Sequence, residues 1–339
     1  MTTPEDSLAS AGVQRRWAVV VIGVFGIALV VMPVAFNMFS KAPQGAEMLV
    51  QFKPFMTTAR LDGYQTELKE INSGIRQTDT SVAQALTAHR GGRAAFIADY
   101  PEFVSVDKQW PAIHHTMTSL MDEVQDNLGS YRAMAALPSF RLFPWFFVGP
   151  GAVLFLIALL LLFRPRLWSR GRWGLVVVGI ALIAAPVVFQ MFTRAPKGGQ
   201  MMTAFKHIET TSNVENIQSY FGTMAEGQGV IRLNIVPALE QAGYSAGQIR
   251  TDFPAVATLD AQWVHILNDM TPMIGAMSDN VANYQAITSL PPFPLFPWFF
   301  VLPGVLVAGL AVSNRRRPGH ESAPVTTPAP SVPNYVGVS

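Results

Sequence analysis

Four stretches of the chain are apolar and contain no Asp, Glu, Lys, Arg or His: residues 17–36, 142–163, 173–192 and 294–313. Each is about 20 residues long, roughly 30 Å of helix, which matches the hydrocarbon thickness of a bilayer. The pattern predicts four transmembrane helices. Between them, residues 37–141 and 193–293 change to an amphipathic pattern with apolar positions three or four apart. Leu61, Tyr64, Leu68, Ile71, Ile75 and Val82 form one such seam, with Thr78 in the expected slot. Val214, Ile217, Phe221, Met224, Ile231 and Ile235 form another, with Gln228 as its polar member. Later in each segment, Ile113, Met117, Leu120, Val124 and Tyr131 parallel Ile266, Met270, Met273, Met277 and Tyr284. Each seam predicts a helix with one buried face. Thr58 is the expected N-cap of the first seam, and Asp107 and Asp260 those of the later ones. No alternating strand pattern of useful length occurs, so both outer segments read as antiparallel bundles of three or four helices.

The two halves align without a gap at an offset of 153 residues. Leu142-Phe143-Pro144-Trp145-Phe146-Phe147-Val148 recurs as Leu295-Phe296-Pro297-Trp298-Phe299-Phe300-Val301, and each copy reaches Pro-Gly two residues later. Asp99-x-Pro101 matches Asp252-x-Pro254, and Asp107-x-Gln109-Trp110 matches Asp260-x-Gln262-Trp263. The expected fold is an all-α integral membrane protein of two tandem span–bundle–span repeats. An even number of spans per repeat inserts both copies the same way round, about a pseudo-twofold axis along the membrane normal.

Arginine placement sets the expected orientation. Residues 1–16 carry no net charge, the 164–172 loop carries four arginines, and the 314–339 tail has a net charge of +2. Residues 37–141 carry ten basic and eleven acidic groups, and residues 193–293 five and eight. Basic residues favour the cytoplasmic side. Both termini and the 164–172 loop are therefore expected inside, with the two long segments outside. Residues 17–36 have the basic flank of a signal peptide but lack its cleavage site. The matching internal segment at 173–192 supports a permanent span. The first fourteen residues and the proline-rich 314–339 tail are expected to be disordered.

Composition narrows the function classes. Half the residues are hydrophobic, 14% are charged, and mean hydropathy is +0.28. A soluble domain usually carries about 25% charged residues. The chain has no cysteine, which removes thiol catalysis, disulfides and cysteine-held metal clusters. A net charge of +2 provides no field for nucleic acid. No nucleophile–base set, phosphate loop or dinucleotide fingerprint appears, so no catalytic, cofactor-binding or metal-binding residue is assigned. The spans lack the ionisable groups that ion-coupled transport requires.

Two candidate surfaces remain. Trp110, Trp263, Gln109 and Gln262 flank a possible ligand or partner surface, set against a plain helix-capping role. Pro33, Pro186, Pro144, Trp145, Pro150, Pro297, Trp298 and Pro303 mark helix starts, helix bends and headgroup-level aromatics. His115, Asp122 and Asp126 share a helix face and read as solvated polar groups.

Arginine outnumbers lysine 18 to 6, a composition typical of GC-rich bacteria. The expectation is a non-enzymatic, multi-pass protein of a bacterial plasma membrane, with the bilayer and a membrane or envelope protein as partners. It would act as a scaffold or accessory subunit of a cell-envelope complex. The alternatives are an accessory subunit of a transporter, or binding of a lipid or small molecule in a cleft between the bundles near Trp110 and Trp263. The plan is similar in organisation to bacterial sensor ectodomains, in architecture alone.

Overall fold

The computed structural model describes residues 4–313, and every regular element among them is helical. Four helices are long and apolar enough to cross a membrane. They are α1 (Pro4–Ala35), α7 (Phe143–Phe163), α8 (Trp168–Val188) and α14 (Phe296–Ser313). The outer helices of the first half are α2 (Met38–Phe52), α3 (Thr58–Gln77), α4 (Ala83–Thr87), α5 (Arg93–Asp99) and α6 (Pro101–Ala135). Those of the second half are α9 (Met191–Ala204), α10 (Thr211–Val230), α11 (Val236–Gln241), α12 (Ala246–Asp252) and α13 (Pro254–Thr288). Residues 1–3 and the 314–339 tail lie outside the described residues.

Several boundaries differ from the sequence expectation. Residues 4–14 belong to α1 and are helical rather than disordered. The third span ends at Val188, not at residue 192, because Gln190 takes a left-handed backbone with φ 53°. Asn37 does the same with φ 52° and separates α1 from α2. The cap of α3 is Thr57, one residue before the expected Thr58, and its hydroxyl accepts from the Arg60 amide. Thr210 caps α10 in the same way, accepting from Asn213. Asp107 and Asp260 are not caps. Pro101 and Pro254 start those helices six residues earlier, where a missing N–H costs nothing. The two aspartates instead face arginines, Arg93 at 3.9 Å and Arg232 at 3.7 Å. A π-helical turn follows α3 at Thr78–Val82, and another follows α10 at Ile231–Ile235. The three-and-four spacing of the seams does not reveal either turn.

The helices of the two outer segments interleave in one hydrophobic core. α2 packs against α13, and α9 packs against α6. α3 and α10 each lie against both long helices. Small residues permit these crossings. A Cβ on Gly45 of α2 would meet Ile287 of α13 at 2.5 Å, and one on Gly74 of α3 would meet Leu259 of α13 at 2.6 Å. Polar ties cross between the halves as well. The Gln77 side chain accepts from the amides of Ala255 and Val256 at 2.9 and 3.0 Å, and so supplies the N-terminal cap of α13. Arg194 donates to the Ala136 carbonyl at 2.8 Å.

The spans pack in pairs, α1 with α7 and α8 with α14. Above these pairs the two Phe-Pro-Trp-Phe-Phe segments meet in an aromatic column. Phe140 faces Phe293 with centroids 5.8 Å apart, Phe143 faces Phe296 at 5.3 Å, and Phe147 faces Phe300 at 4.7 Å. Each ring therefore touches the residue 153 positions away. Offset or edge-on pairs of this kind are favoured over face-to-face sandwiches.

Candidate functional site

An apolar cavity of about 50 Å³ lies where the two halves meet. Its walls come from the ends of α2 and α9, the turns that follow them, the C-terminal halves of α6 and α13, and Leu61 of α3. Seven of its lining residues are methionines: Met48, Met56, Met121, Met201, Met202, Met273 and Met277. Thioether side chains have low rotamer barriers and adapt to varied apolar shapes. Two tyrosines close the cavity toward the spans. The Tyr131 hydroxyl donates to the Leu49 carbonyl at 2.7 Å, and the Tyr284 hydroxyl donates to that of Met202. Burial pushes both phenols up to about 12, so they remain neutral donors.

One ionisable group with a free atom stands among these walls. Glu209 lines the cavity just before the cap of α10 and is only 5% exposed. Its Oε2 has no hydrogen-bond partner. Burial without a compensating partner lifts its carboxyl from the usual 4.5 to about 8, so it is mostly protonated at neutral pH. The position 153 residues earlier is Met56, on the same cavity wall. A carboxyl at a position where the other half carries a thioether is not required for packing. An apolar wall with one perturbed polar group has the lining of a small-molecule site, at a volume well under the roughly 300–1,000 Å³ usual for one.

The cavity is not at the site expected from the sequence. Trp110 and Trp263 are each 3% exposed and belong to the core, and neither is among the residues that line the methionine cavity. Trp110 donates its indole N–H to Asn72 at 2.9 Å, whereas that of Trp263 has no partner, because Ala225 takes the place of Asn72. Gln109 and Gln262 point outward and are exposed. Leu120, the first α6 residue on the cavity wall, lies ten residues beyond Trp110, about 15 Å along the helix.

The proline and tryptophan set has mixed placements. Pro144 and Pro297 stand in the first turns of α7 and α14. Pro33 and Pro186 lie near the ends of α1 and α8, and Pro150 and Pro303 lie within α7 and α14. Trp145 and Trp298 are exposed and pack edge-on against Phe39 and Phe192 at 5.6 and 5.5 Å. The phenylalanines of the same motif, which were not singled out from sequence, form the column described above. His115, Asp122 and Asp126 are all exposed.

A second polar cluster lies between α3 and α13. Arg60 contacts Asp269 Oδ2 at 2.6 Å, and the Tyr64 hydroxyl donates to the Asp269 carbonyl at 3.2 Å. Glu67 is buried beside them, and burial followed by the Asp269 charge lifts its carboxyl to about 7. His265 stands one turn before Asp269, its Nε2 3.7 Å from Oδ2.

Comparison with protein-family models, with curated proteins and with solved structures finds no match to this chain.

Proposed function

We propose that this chain is a membrane protein whose outer helices bind an amphiphilic molecule, its apolar body among the cavity methionines and its amine or hydroxyl against Glu209. The observation that carries this reading is a buried, unpartnered carboxyl in an otherwise apolar wall. A ligand donor would satisfy the orphaned oxygen, and apolar burial would supply the affinity. The narrow cavity limits the rigid volume of the ligand, and the flexible walls admit a slender chain.

The remaining organisation belongs to the same proposal. A span–bundle–span module was duplicated, and its copies are related by a pseudo-twofold axis along the membrane normal. Matching helix starts support it: α3 begins at Thr58 and α10 at Thr211, and α6 begins at Pro101 and α13 at Pro254. So does the self-pairing of Phe143 with Phe296. The four arginines of the 164–172 loop support cytoplasmic termini and an outer face carrying the bundle. The setting is a bacterial plasma membrane and the role non-enzymatic. A scaffold or transporter-accessory role fits the sequence inventory, and the cavity adds weight to ligand binding.

The test is to purify the full chain in lipid nanodiscs, extract it with organic solvent and identify bound molecules by mass spectrometry. One amphiphile per chain is expected, with much less in Met277→Phe, whose larger ring fills the cavity. Uptake of a fluorescent alkylamine should fall in Glu209→Met. No bound molecule and no probe uptake would overturn the reading. A stable protein partner captured by crosslinking in native membranes would then point to the scaffold role.

A further inference from the structure

We propose that Glu67, His265 and Asp269 form a binding site for a divalent transition-metal ion, of the zinc or manganese class, that joins α3 to α13. One ligand atom from each residue lies within 4.8 Å of the other two. A single ion can therefore reach all three with small side-chain rotations, since zinc–ligand bonds are about 2.0–2.2 Å long. One imidazole with two carboxylates is a donor set for borderline and hard divalent ions rather than for soft ones. Three protein ligands would leave a coordination position for water.

The surroundings also favour a cation. Glu67 is 8% exposed, and its Oε2 has no hydrogen-bond partner. Glu70, one turn later on α3, has a second buried oxygen without a partner. Among the described residues, Arg60 is the one basic side chain that pairs with Asp269 by a permanent charge, and it engages Oδ2 alone. Three carboxylates beside one guanidinium leave an excess of negative charge in a partly desolvated place. Such charge is costly unless it is neutralised by a proton or a metal.

Packing of the helices does not account for the cluster. The corresponding pairing of α10 with α6 has Tyr220, Ala112 and Thr116 at the positions 153 residues away. That contact forms without any of the three ligands. The cluster is thus an addition made at one of two similar helix contacts. None of the three ligands lines the methionine cavity, so the site stands or falls separately from the ligand reading.

The experiment uses the full chain in nanodiscs, with any affinity tag removed and metal stripped by a chelator. Zn²⁺ and Mn²⁺ are titrated by calorimetry, bound metal is counted by elemental analysis, and Co²⁺ substitution is followed by its visible absorption. One ion per chain and a rise in Tm are expected. Glu67→Gln and His265→Ala should each weaken binding by about tenfold or more. His265 is largely exposed, so its removal tests the site even if the Glu67 variant does not fold. A control, His114→Ala, should leave binding unchanged. Absence of a stoichiometric ion, or equal affinity in wild type and His265→Ala, would overturn the assignment.

Discussion

Gly26 of α1 and Gly151 of α7 touch through their backbones: a Cβ built on either would lie 2.8 Å from the carbonyl oxygen of the other. Gly179 and Gly304 repeat the relationship between α8 and α14, at 2.9 and 2.8 Å. Within lipid, no hydrophobic effect holds helices together. Close approach through small residues, with its dispersion and Cα–H···O contacts, takes over that role.

Gly26→Ala should therefore separate α1 from α7, because the obstacle is the Phe155 amide nitrogen and the Gly151 carbonyl rather than a movable side chain. A loss of about 1–3 kcal/mol is expected, the usual range for overpacking. Gly45→Ala should cost less, since its neighbour is the flexible end of Ile287. Gly129→Ala, in an open part of α6 with nothing within 4 Å, should be neutral or stabilising by about 0.5–1 kcal/mol. Unfolding curves of the three variants in one detergent would check this order.

The raised carboxyl of Glu209 makes stability depend on pH in a defined direction. The folded chain keeps this proton up to about pH 8, whereas the unfolded chain loses it near 4.5. Between those values the folded state binds more protons, so stability falls as pH rises and levels off above 8. The effect is on the order of a few kcal/mol. The titratable groups nearest to Glu209 on the cavity wall, Tyr131 and Tyr284, remain neutral throughout this window. Glu209→Met, which reproduces the Met56 environment, should raise Tm at pH 8 and flatten this part of the profile. A wild-type minus variant difference that is constant from pH 5 to 8 would contradict the assignment.

Trp110 and Trp263 allow a comparison within one molecule. Asn72→Ala leaves the buried Trp110 N–H without its acceptor and should cost about 1–3 kcal/mol. The Trp263 indole has no partner to lose. Trp263→Phe should therefore be milder than Trp110→Phe, which also orphans Asn72. Chemical denaturation of the variants in matched nanodiscs would measure the difference.

The four helices suited to a membrane and the seam-bearing outer helices were legible in the sequence, because apolar runs and three-four spacing are local properties. The partner of each helix was not. The seams of α6 and α13 have the same period and similar side chains, so the pattern on α2 does not distinguish Met134 from Ile287, its counterpart 153 residues on, as the neighbour of Gly45. Only the structure shows that α2 packs on α13. Helix starts moved wherever Pro101 and Pro254 overrode an acidic capping signal. For the cavity, one signal was available and went unused: Glu209 stands 153 residues after Met56, a charge where the aligned position is apolar. The Glu67, His265 and Asp269 cluster had no comparable trace, since about 200 residues separate its members on the two helices.

The orientation can be read directly, because the chain has no cysteine. Single substitutions Ser73→Cys in α3, Ser219→Cys in α10 and Ser169→Cys in the first turn of α8 each introduce one reactive thiol. The arginine-rich connection before α8 is expected inside the cell, where basic residues are retained. On that orientation α3 and α10 would each come directly after an outward crossing of the bilayer. A membrane-impermeant maleimide applied to intact cells should therefore label positions 73 and 219 and spare position 169 until the cells are opened. Labelling of 73 without 219 would mean that the two halves insert in opposite senses. The shared core makes that outcome physically costly, because α3 and α10 both pack against α6 and α13 on one side of the spans.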